Sequence, residues 1–147
     1  MMHPLQKRFL GLRGTARWRE TSPEDERYNC VAWACDDAER WWWPWPEGDP
    51  PGYWPGDAPA DDSIASALAM FGIRGYERCE PEDVDAGDDV IVLYGAADRL
   101  RHVARRVANG WWASKLGSLN DIEHETLDAV AGWECGSPAV WMRRSAR

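Results

Sequence analysis

Residues 89–116 constrain the fold most strongly, because their pattern is typical of a buried strand followed by a hairpin. The run "DVIVLYG" is continuously apolar, as in a buried strand. The next run, "RHVARRVA", alternates, with Val103 and Val107 on one face and His102 on the other. Asn109-Gly110 is a strong hairpin turn, and "WWASKL" has the pattern of the partner strand. The centre of the chain therefore predicts an antiparallel sheet.

Three helices are predicted around this sheet. The first begins at Ser22 or at a second candidate cap, Asn29, and its apolar stripe reaches Trp42 before Pro44 ends it. "DDSIASALAMFG" predicts the second helix and "NDIEHETLDAVAG" the third. Short strands are predicted at "IRGYERC" and "AVWMRR". Helices followed by an antiparallel meander, and then by a helix and a strand, indicate an α+β fold.

A chain of 147 residues fits one domain. Its first 19 residues carry five basic side chains and no acidic one. We therefore expect a loosely held basic arm over residues 1–20 and a single domain over residues 21–147. Residues 44–59 contain six of the ten prolines and predict a long ordered loop that packs on this domain.

Composition and charge exclude several classes of protein. The formal net charge of -8 disfavours a nucleic-acid-binding protein. No stretch reaches the ~18 apolar residues of a membrane span, and the N-terminus lacks the apolar run of a secretory signal. We expect a cytoplasmic protein, or one exported without a cleaved signal peptide. The four cysteines are expected to be free thiols, and without a Cys-x-x-Cys pair we expect no metal and no cofactor.

The position of Cys30 in the predicted first turn of a helix suggests a reactive thiol. A helix N-terminus favours thiolate over thiol, and the thiolate is the nucleophile. A cysteine nucleophile also needs a base, which His102 at the start of a strand could supply. His3 lies in the arm and His124 inside the predicted third helix. The structural alternative is a cysteine that is simply buried in the apolar face of its helix.

The segments "YNCVAWA", "AGDDVIVLYG" and "HVARRVANGWW", in this order, resemble the NlpC-type cysteine peptidases and the related CHAP amidases. The resemblance covers about residues 24–116. It implies a papain-like domain whose N-terminal nucleophile helix packs on an antiparallel sheet, with Cys30 as nucleophile and His102 as base. It also implies a thiol-dependent amide hydrolase or acyl transferase that acts on a protein, peptide or peptidoglycan-like amide.

A third polar residue normally orients the base. The resemblance places it at Ser114, on the strand after the hairpin. Plain hairpin geometry disagrees, because a two-residue Asn-Gly turn puts Lys115 on the face of His102 and requires a bulge to turn Ser114 inward. Asp121, at the predicted start of the third helix, is the remaining candidate.

The tryptophans support a second hypothesis, a non-catalytic binding module for a peptide or glycan. The tryptophans of residues 41–45, together with Trp54, Trp111 and Trp112, could form an aromatic surface. In the enzyme hypothesis, Trp33, Trp45 and Trp54 are the candidate substrate-binding side chains. A third hypothesis, an acidic partner that neutralises a basic protein, rests on net charge alone.

Overall fold

The structure is a computed structural model that describes residues 2–47 and 51–145. Its helices are α1 (Pro4–Arg8), α2 (Cys30–Ala34) and α3 (Ile64–Ile73). Its strands are β1 (Trp18–Ser22), β2 (Glu77–Cys79), β3 (Asp89–Ala96), β4 (Arg99–Arg106), β5 (Trp112–Lys115), β6 (Asp121–His124) and β7 (Ser137–Arg144). Short 3-10 helices cover Leu10–Arg13, Pro81–Asp83 and Leu127–Ala129.

The described strands form one seven-stranded antiparallel sheet in the order β1-β6-β5-β4-β3-β7-β2. β3 lies inside this sheet and is covered on both faces. Ile91 and Leu93 point into a core cluster with α2 and α3, whereas Val90 and Val92 point into a second cluster with the N-terminal segment. Burial on both faces accounts for the continuous apolar run of β3. The α+β class and the predicted strands β2, β3, β4, β5 and β7 are confirmed.

The first helix is much shorter than predicted. It begins at Cys30, after the second candidate cap, and ends at Ala34 rather than near Trp42. Beyond it, Asp36 has a left-handed backbone with φ of 59°, and the carboxylate of Asp37 accepts backbone hydrogen bonds in the turn that follows. The predicted start at Ser22 is also wrong, because Ser22 is the last residue of β1.

The predicted third helix is wrong. Residues 121–124 form β6, which pairs with β5 on one side and β1 on the other. Two ladders satisfy the backbone of β6 on both sides, and Ile122 is buried on the sheet face that the N-terminal segment covers. Only the single turn Leu127–Ala129 is helical in this region.

The expectation of a loose N-terminal arm is also corrected. α1 and the following 3-10 helix bury Leu5, Phe9 and Leu12 against the sheet. β1 then forms the edge of the sheet beside β6. The apolar side chains between the basic residues supply the burial that holds this segment in place.

The hairpin between β4 and β5 has a three-residue loop rather than the predicted two-residue turn. The amide of Val107 donates to the carbonyl of Trp111 at 2.8 Å, and the ladder continues with Arg105 opposite Ala113. Gly110 takes the left-handed conformation, with φ of 87°, that such loops require. The change of register by one residue moves every side chain of β5 to the other face of the sheet.

The proline-rich loop packs on the domain in its described parts, 44–47 and 51–59; residues 48–50 lie outside the described residues. Tyr53 donates its amide to the carbonyl of Trp41 at 2.7 Å and accepts from the amide of Trp43 at 2.9 Å. The indole of Trp54 donates to the carbonyl of Pro59 at 2.8 Å. The loop is therefore tied to the segment that follows α2.

Candidate functional site

A cavity of about 340 Å³ opens beyond the end of the ladder between β4 and β5. The last pair of that ladder is Arg105 with Ala113, and residues 116–119 line the cavity past this point. Cys30 and His102 both line it. The two residues predicted to react therefore line the same cavity.

Asn29 places Cys30 at the start of α2. Its side-chain oxygen accepts the amide of Ala32 at 3.1 Å, which is the N-cap contact of the helix. The same side chain accepts the amide of Trp42 at 3.2 Å and donates to its carbonyl at 2.8 Å. Asn29 thus fixes both the beginning of the helix and the segment that returns after it.

That returning segment supplies the aromatic wall of the cavity. Trp42 is buried in the core, whereas its neighbours Trp41 and Trp43 line the cavity. The residues are not on a helical stripe as predicted, because α2 has already ended. Alternation along a non-helical segment places one tryptophan inside and the two flanking ones at the site.

His102 belongs to a chain of short polar contacts on one face of the sheet. Its Nε2 lies 2.9 Å from Oγ of Ser114, and the same oxygen lies 2.7 Å from Nε2 of His124. Nδ1 of His124 lies 2.7 Å from the carbonyl oxygen of Thr126. The ring of Tyr94 packs edge-on against His102 with centroids 5.0 Å apart. The contact predicted between Ser114 and the base is present, without the bulge that a two-residue turn would have required.

Burial disfavours the charged forms of both Cys30 and His102. It lowers the pKa of His102 to about 3, with a smaller contribution from His124, and it also lowers the pKa of His124. Burial raises the pKa of Cys30 to about 11, although the backbone amides of Val103 and Val31 and its own amide act in the opposite direction. The expectation that Cys30 is a thiolate is therefore corrected. α2 has only five residues, and the electrostatic effect of its N-terminus does not outweigh the desolvation of the thiol.

Cys30 and His102 approach the cavity from different faces of the sheet. Cys30 packs in the cluster that contains Val103 and α2, whereas His102 lies opposite Tyr94, which belongs to the other cluster. In the β3–β4 ladder, His102 pairs with Tyr94 and Leu100 pairs with Gly95, which leaves Arg101 unpaired between them. This β-bulge bends β4 next to His102. The site therefore lies at the end of the β4–β5 ladder rather than within one helix–sheet layer.

Lys115 is fully buried and does not orient His102. Its ammonium donates to the carbonyl oxygens of Asp25, Gly117 and Leu119 at 2.6, 2.5 and 2.8 Å. It also lies 4.8 Å from the centre of the Tyr28 ring. The actual hairpin register places Lys115 on the face opposite His102, where it holds the turn that forms one wall of the cavity.

Asp121 is likewise separate from the His102 chain. It pairs with Lys115 across the β5–β6 ladder and accepts hydrogen bonds from the hydroxyls of Ser22 and Tyr28 at 2.7 and 2.6 Å. Its second oxygen, Oδ1, is buried and has no partner among the described residues. Asp121 thus supports the attachment of β1 and of the segment before α2.

The three candidate substrate-binding tryptophans do not line the Cys30 cavity. Trp33 packs against Tyr28 at 5.9 Å and lines a different cavity. Trp54 is held by the loop carbonyl described above. Trp45 is 51% exposed and contacts the cavity wall from outside, with its ring 6.4 Å from that of Trp43.

His124 is the polar residue that sequence reasoning assigned to the wrong element. The segment "IEHETLDAVAG" has apolar residues at helical spacing, which predicts a helix. The sequence pattern therefore does not predict that the imidazole of His124 lies on a strand. No local pattern marks Arg101, which immediately precedes His102 and lies exposed at the cavity. Both residues become visible only when the register of β4, β5 and β6 is known.

Within residues 2–47 and 51–145, no helix is long and apolar enough to cross a membrane. The same residues contain no group of three or more His, Cys, Asp or Glu side chains arranged to hold a metal ion. The cysteines Cys30, Cys35, Cys79 and Cys135 are free thiols.

No curated protein and no solved structure shows a significant match to the chain. One family does match, over residues 19–143, and its description is "Domain of unknown function (DUF7689)". The match covers the whole sheet apart from the first residue of β1 and the last residue of β7. It also includes α2 and the whole His102 chain. Because this match covers most of the chain, the protein belongs to the DUF7689 family.

Proposed function

We propose that the protein is a thiol-dependent amide hydrolase or acyl transferase, with Cys30 as nucleophile and His102 as general base. The observation that carries the proposal is that both side chains line one cavity while Oγ of Ser114 lies 2.9 Å from Nε2 of the imidazole. Because Nε2 of His102 is engaged by Ser114, Nδ1 is the ring nitrogen left to serve the thiol. A nucleophile, a base and a residue that orients the base are the minimal set for this chemistry.

In the first half of the proposed reaction, the sulfur of Cys30 attacks the carbonyl carbon of an amide. The thiol proton passes to Nδ1 of His102, and a tetrahedral intermediate forms. The backbone N–H of Cys30 lies at the start of α2, where it has no intrahelical hydrogen-bond partner. It is therefore the candidate donor to the oxyanion. The imidazolium then returns its proton to the amide nitrogen, the carbon–nitrogen bond breaks, and a thioester and a free amine result.

In the second half, water or an acceptor amine attacks the thioester. His102 takes a proton from the attacking group and returns it to the departing sulfur of Cys30. Water gives hydrolysis, whereas an amine gives acyl transfer. The two outcomes differ only in which nucleophile reaches the cavity.

The neutral resting pair favours proton transfer during attack rather than a preformed ion pair. Burial disfavours both the thiolate of Cys30 and the imidazolium of His102 when each is considered alone. When the proton moves, the two new charges attract each other across a poorly solvated space. Substrate that fills the cavity and displaces water strengthens that attraction, so binding and activation are coupled.

The finer fold assignment, an NlpC-type papain-like domain, is part of this proposal. It is supported by the order of the parts along the chain. α2 with Cys30 comes first, β4 with His102 follows, and β5 with Ser114 comes after the hairpin. The sheet on which α2 packs is antiparallel, as the resemblance implies.

The cavity favours a substrate that carries a carboxylate close to the reacting amide. Arg8 forms an ion pair with Glu134 at 2.5 Å. Arg101 takes part in none of the ion pairs among the described residues. The lining of the same cavity includes Trp41 and Trp43, whose rings suit an apolar or planar flanking group. An acidic peptide, or a peptidoglycan-like peptide with a free carboxylate, combines these features.

The test uses acidic peptide amides and peptidoglycan-derived peptides as probes. Release of amine is measured together with the intact mass of the protein, which reports a thioester on Cys30. We expect the Cys30→Ala and His102→Gln variants to lose turnover on the order of a thousand-fold or more while remaining folded. Cys79→Ala, which removes a thiol on β2, is the matched control and should keep full activity.

Turnover that survives Cys30→Ala would overturn the proposal. The binding-module alternative is favoured by one observation, the tryptophan wall formed by Trp41 and Trp43. It predicts that the same peptides or glycans quench tryptophan fluorescence, that no thioester forms, and that Cys30→Ala leaves the affinity unchanged.

A further inference from the structure

We propose that His124 is a positioning residue for His102: acting through the hydroxyl of Ser114, it fixes His102 in the tautomer whose lone pair is on Nδ1. The catalytic meaning of this inference rests on the proposed function, but the tautomer itself can be measured without any substrate. The inference depends on three contacts, each 2.9 Å or shorter, between His102, Ser114, His124 and the carbonyl of Thr126.

The carbonyl of Thr126 determines the protonation of His124. A carbonyl oxygen can only accept a hydrogen bond, so Nδ1 of His124, 2.7 Å away, must carry the proton. A neutral imidazole has one N–H group, which leaves Nε2 of His124 as an acceptor. The backbone of Thr126 therefore selects one tautomer of His124.

Ser114 transmits that choice to His102. Its single hydroxyl proton points to Nε2 of His124, 2.7 Å away, because that nitrogen is an acceptor. The oxygen of Ser114 must then accept from Nε2 of His102 at 2.9 Å. With the proton of His102 on Nε2, the lone pair lies on Nδ1, the nitrogen turned away from Ser114.

The opposite polarity of the chain would require a second proton on His124. Only then could Nε2 of His124 donate to Ser114 while Nδ1 still donates to Thr126. His124 is fully buried, and burial lowers its pKa and that of His102. At neutral pH the neutral chain, with one direction of hydrogen bonding, is therefore the stable arrangement.

This polarity is the one that a general base needs. A His102 tautomer with its proton on Nδ1 could not take the proton of Cys30, because its one lone pair, on Nε2, would be engaged by Ser114. An isolated imidazole exchanges between its two tautomers, whereas a ring locked by directional hydrogen bonds does not. Ser114 alone cannot lock it, since a hydroxyl that has no partner on its other side can rotate to donate or accept.

The test is the 15N spectrum of the imidazole rings in the full protein at neutral pH. The chain has three histidines, His3, His102 and His124, so the assignment needs few variants. We expect His102 to show a bare, pyridine-type Nδ1 and a protonated, pyrrole-type Nε2. His124 should show the reverse pattern. A wild-type spectrum in which Nδ1 of His102 carries the proton would overturn the inference directly.

His124→Leu removes the acceptor and tests whether His124 is the cause. The hydroxyl of Ser114 can then rotate toward His102, so both ring nitrogens of His102 should move toward averaged shifts. His124→Gln, which restores an acceptor near Nε2, should keep the wild-type pattern. Ser114→Ala provides a second, smaller change that should also release the tautomer.

Tyr94→Phe is the matched control, because it keeps the ring that packs on His102 and removes only the hydroxyl bond to the Leu127 carbonyl. It should leave the His102 shifts unchanged. An unchanged tautomer in both His124→Leu and Ser114→Ala would show that His124 has a structural role only. If the tautomer is as expected but Cys30→Ala retains turnover, the proposed function fails while this inference stands.

Discussion

Oγ of Ser114 lies 2.9 Å from Nε2 of His102, a contact made by two residues on adjacent strands of one hairpin. The contact exists because the hairpin loop has three residues, which places Arg105 opposite Ala113. A two-residue turn would shift the register by one and bring Lys115 to the same face as His102. The loop therefore decides whether the imidazole faces a hydroxyl or an ammonium.

The buried histidines make stability depend on pH. Burial lowers the pKa of His102 in the folded protein to about 3, below its ordinary value of 6.5. Between these values the unfolded chain binds a proton that the folded protein does not, so the free energy of unfolding falls as pH falls. This stabilisation is fully present above pH 6.5. We expect His102 to account for a loss of about 2 kcal/mol between pH 7 and pH 5.

Urea titrations of the wild type and of His102→Gln at the two pH values measure this loss. The variant lacks the titrating group and should lose about 2 kcal/mol less than the wild type over the same interval. The comparison is made above the range in which most carboxylates titrate. Equal losses in the two proteins would contradict a buried, neutral His102.

Asn29 should be one of the most sensitive polar residues near the site. Asn29→Ala removes the cap of α2 and both hydrogen bonds to Trp42. We expect a loss of about 2–3 kcal/mol in the free energy of unfolding. Asn29→Asp keeps an acceptor for the cap but loses the donor to the Trp42 carbonyl, so it should lie between the two. A loss in Asn29→Ala no larger than in Asn29→Asp would contradict a contribution from the two contacts that Asp keeps, the helix cap and the acceptor for the Trp42 amide.

Lys115 should contribute to stability rather than to the chemistry of His102. Lys115→Met leaves the carbonyls of Asp25, Gly117 and Leu119 without their shared donor. We expect a loss of about 3 kcal/mol or more, measured by urea unfolding. Lys7→Met, at an exposed position of α1, is the matched control and should change stability by less than about 0.5 kcal/mol. A Lys115→Met protein as stable as the wild type would show that the carbonyls find other partners.

The sequence predicted those parts of the fold that depend on local patterns. β3 and β4 followed from a continuous apolar run and an alternating run, and α3 from a capped apolar stripe over Ile64–Ile73. The candidate pair Cys30 and His102 rests on the order of motifs along the chain and stays a prediction, although both side chains line one cavity. These signals are contained within short windows, where periodicity is informative.

The remaining parts depend on contacts between residues far apart in sequence. β6 is a strand because it pairs with β1, where Trp18 lies opposite His124, and no local window contains that information. The path of the segment that returns after α2 depends on the side chain of Asn29 reaching the backbone of Trp42. The neutral state of Cys30 depends on burial by the whole domain, which outweighed the local effect of the helix start.

The central claim is that His102 acts on the thiol of Cys30 in the shared cavity. The most direct measurement is the rate of iodoacetamide alkylation at each cysteine at neutral pH, resolved by peptide mass spectrometry. Cys79, on β2, serves as the reference thiol within the same molecule. We expect His102→Gln to slow alkylation of Cys30 on the order of 10-fold or more, with the rate at Cys79 unchanged. An unchanged rate at Cys30 in a folded His102→Gln protein would contradict the claim.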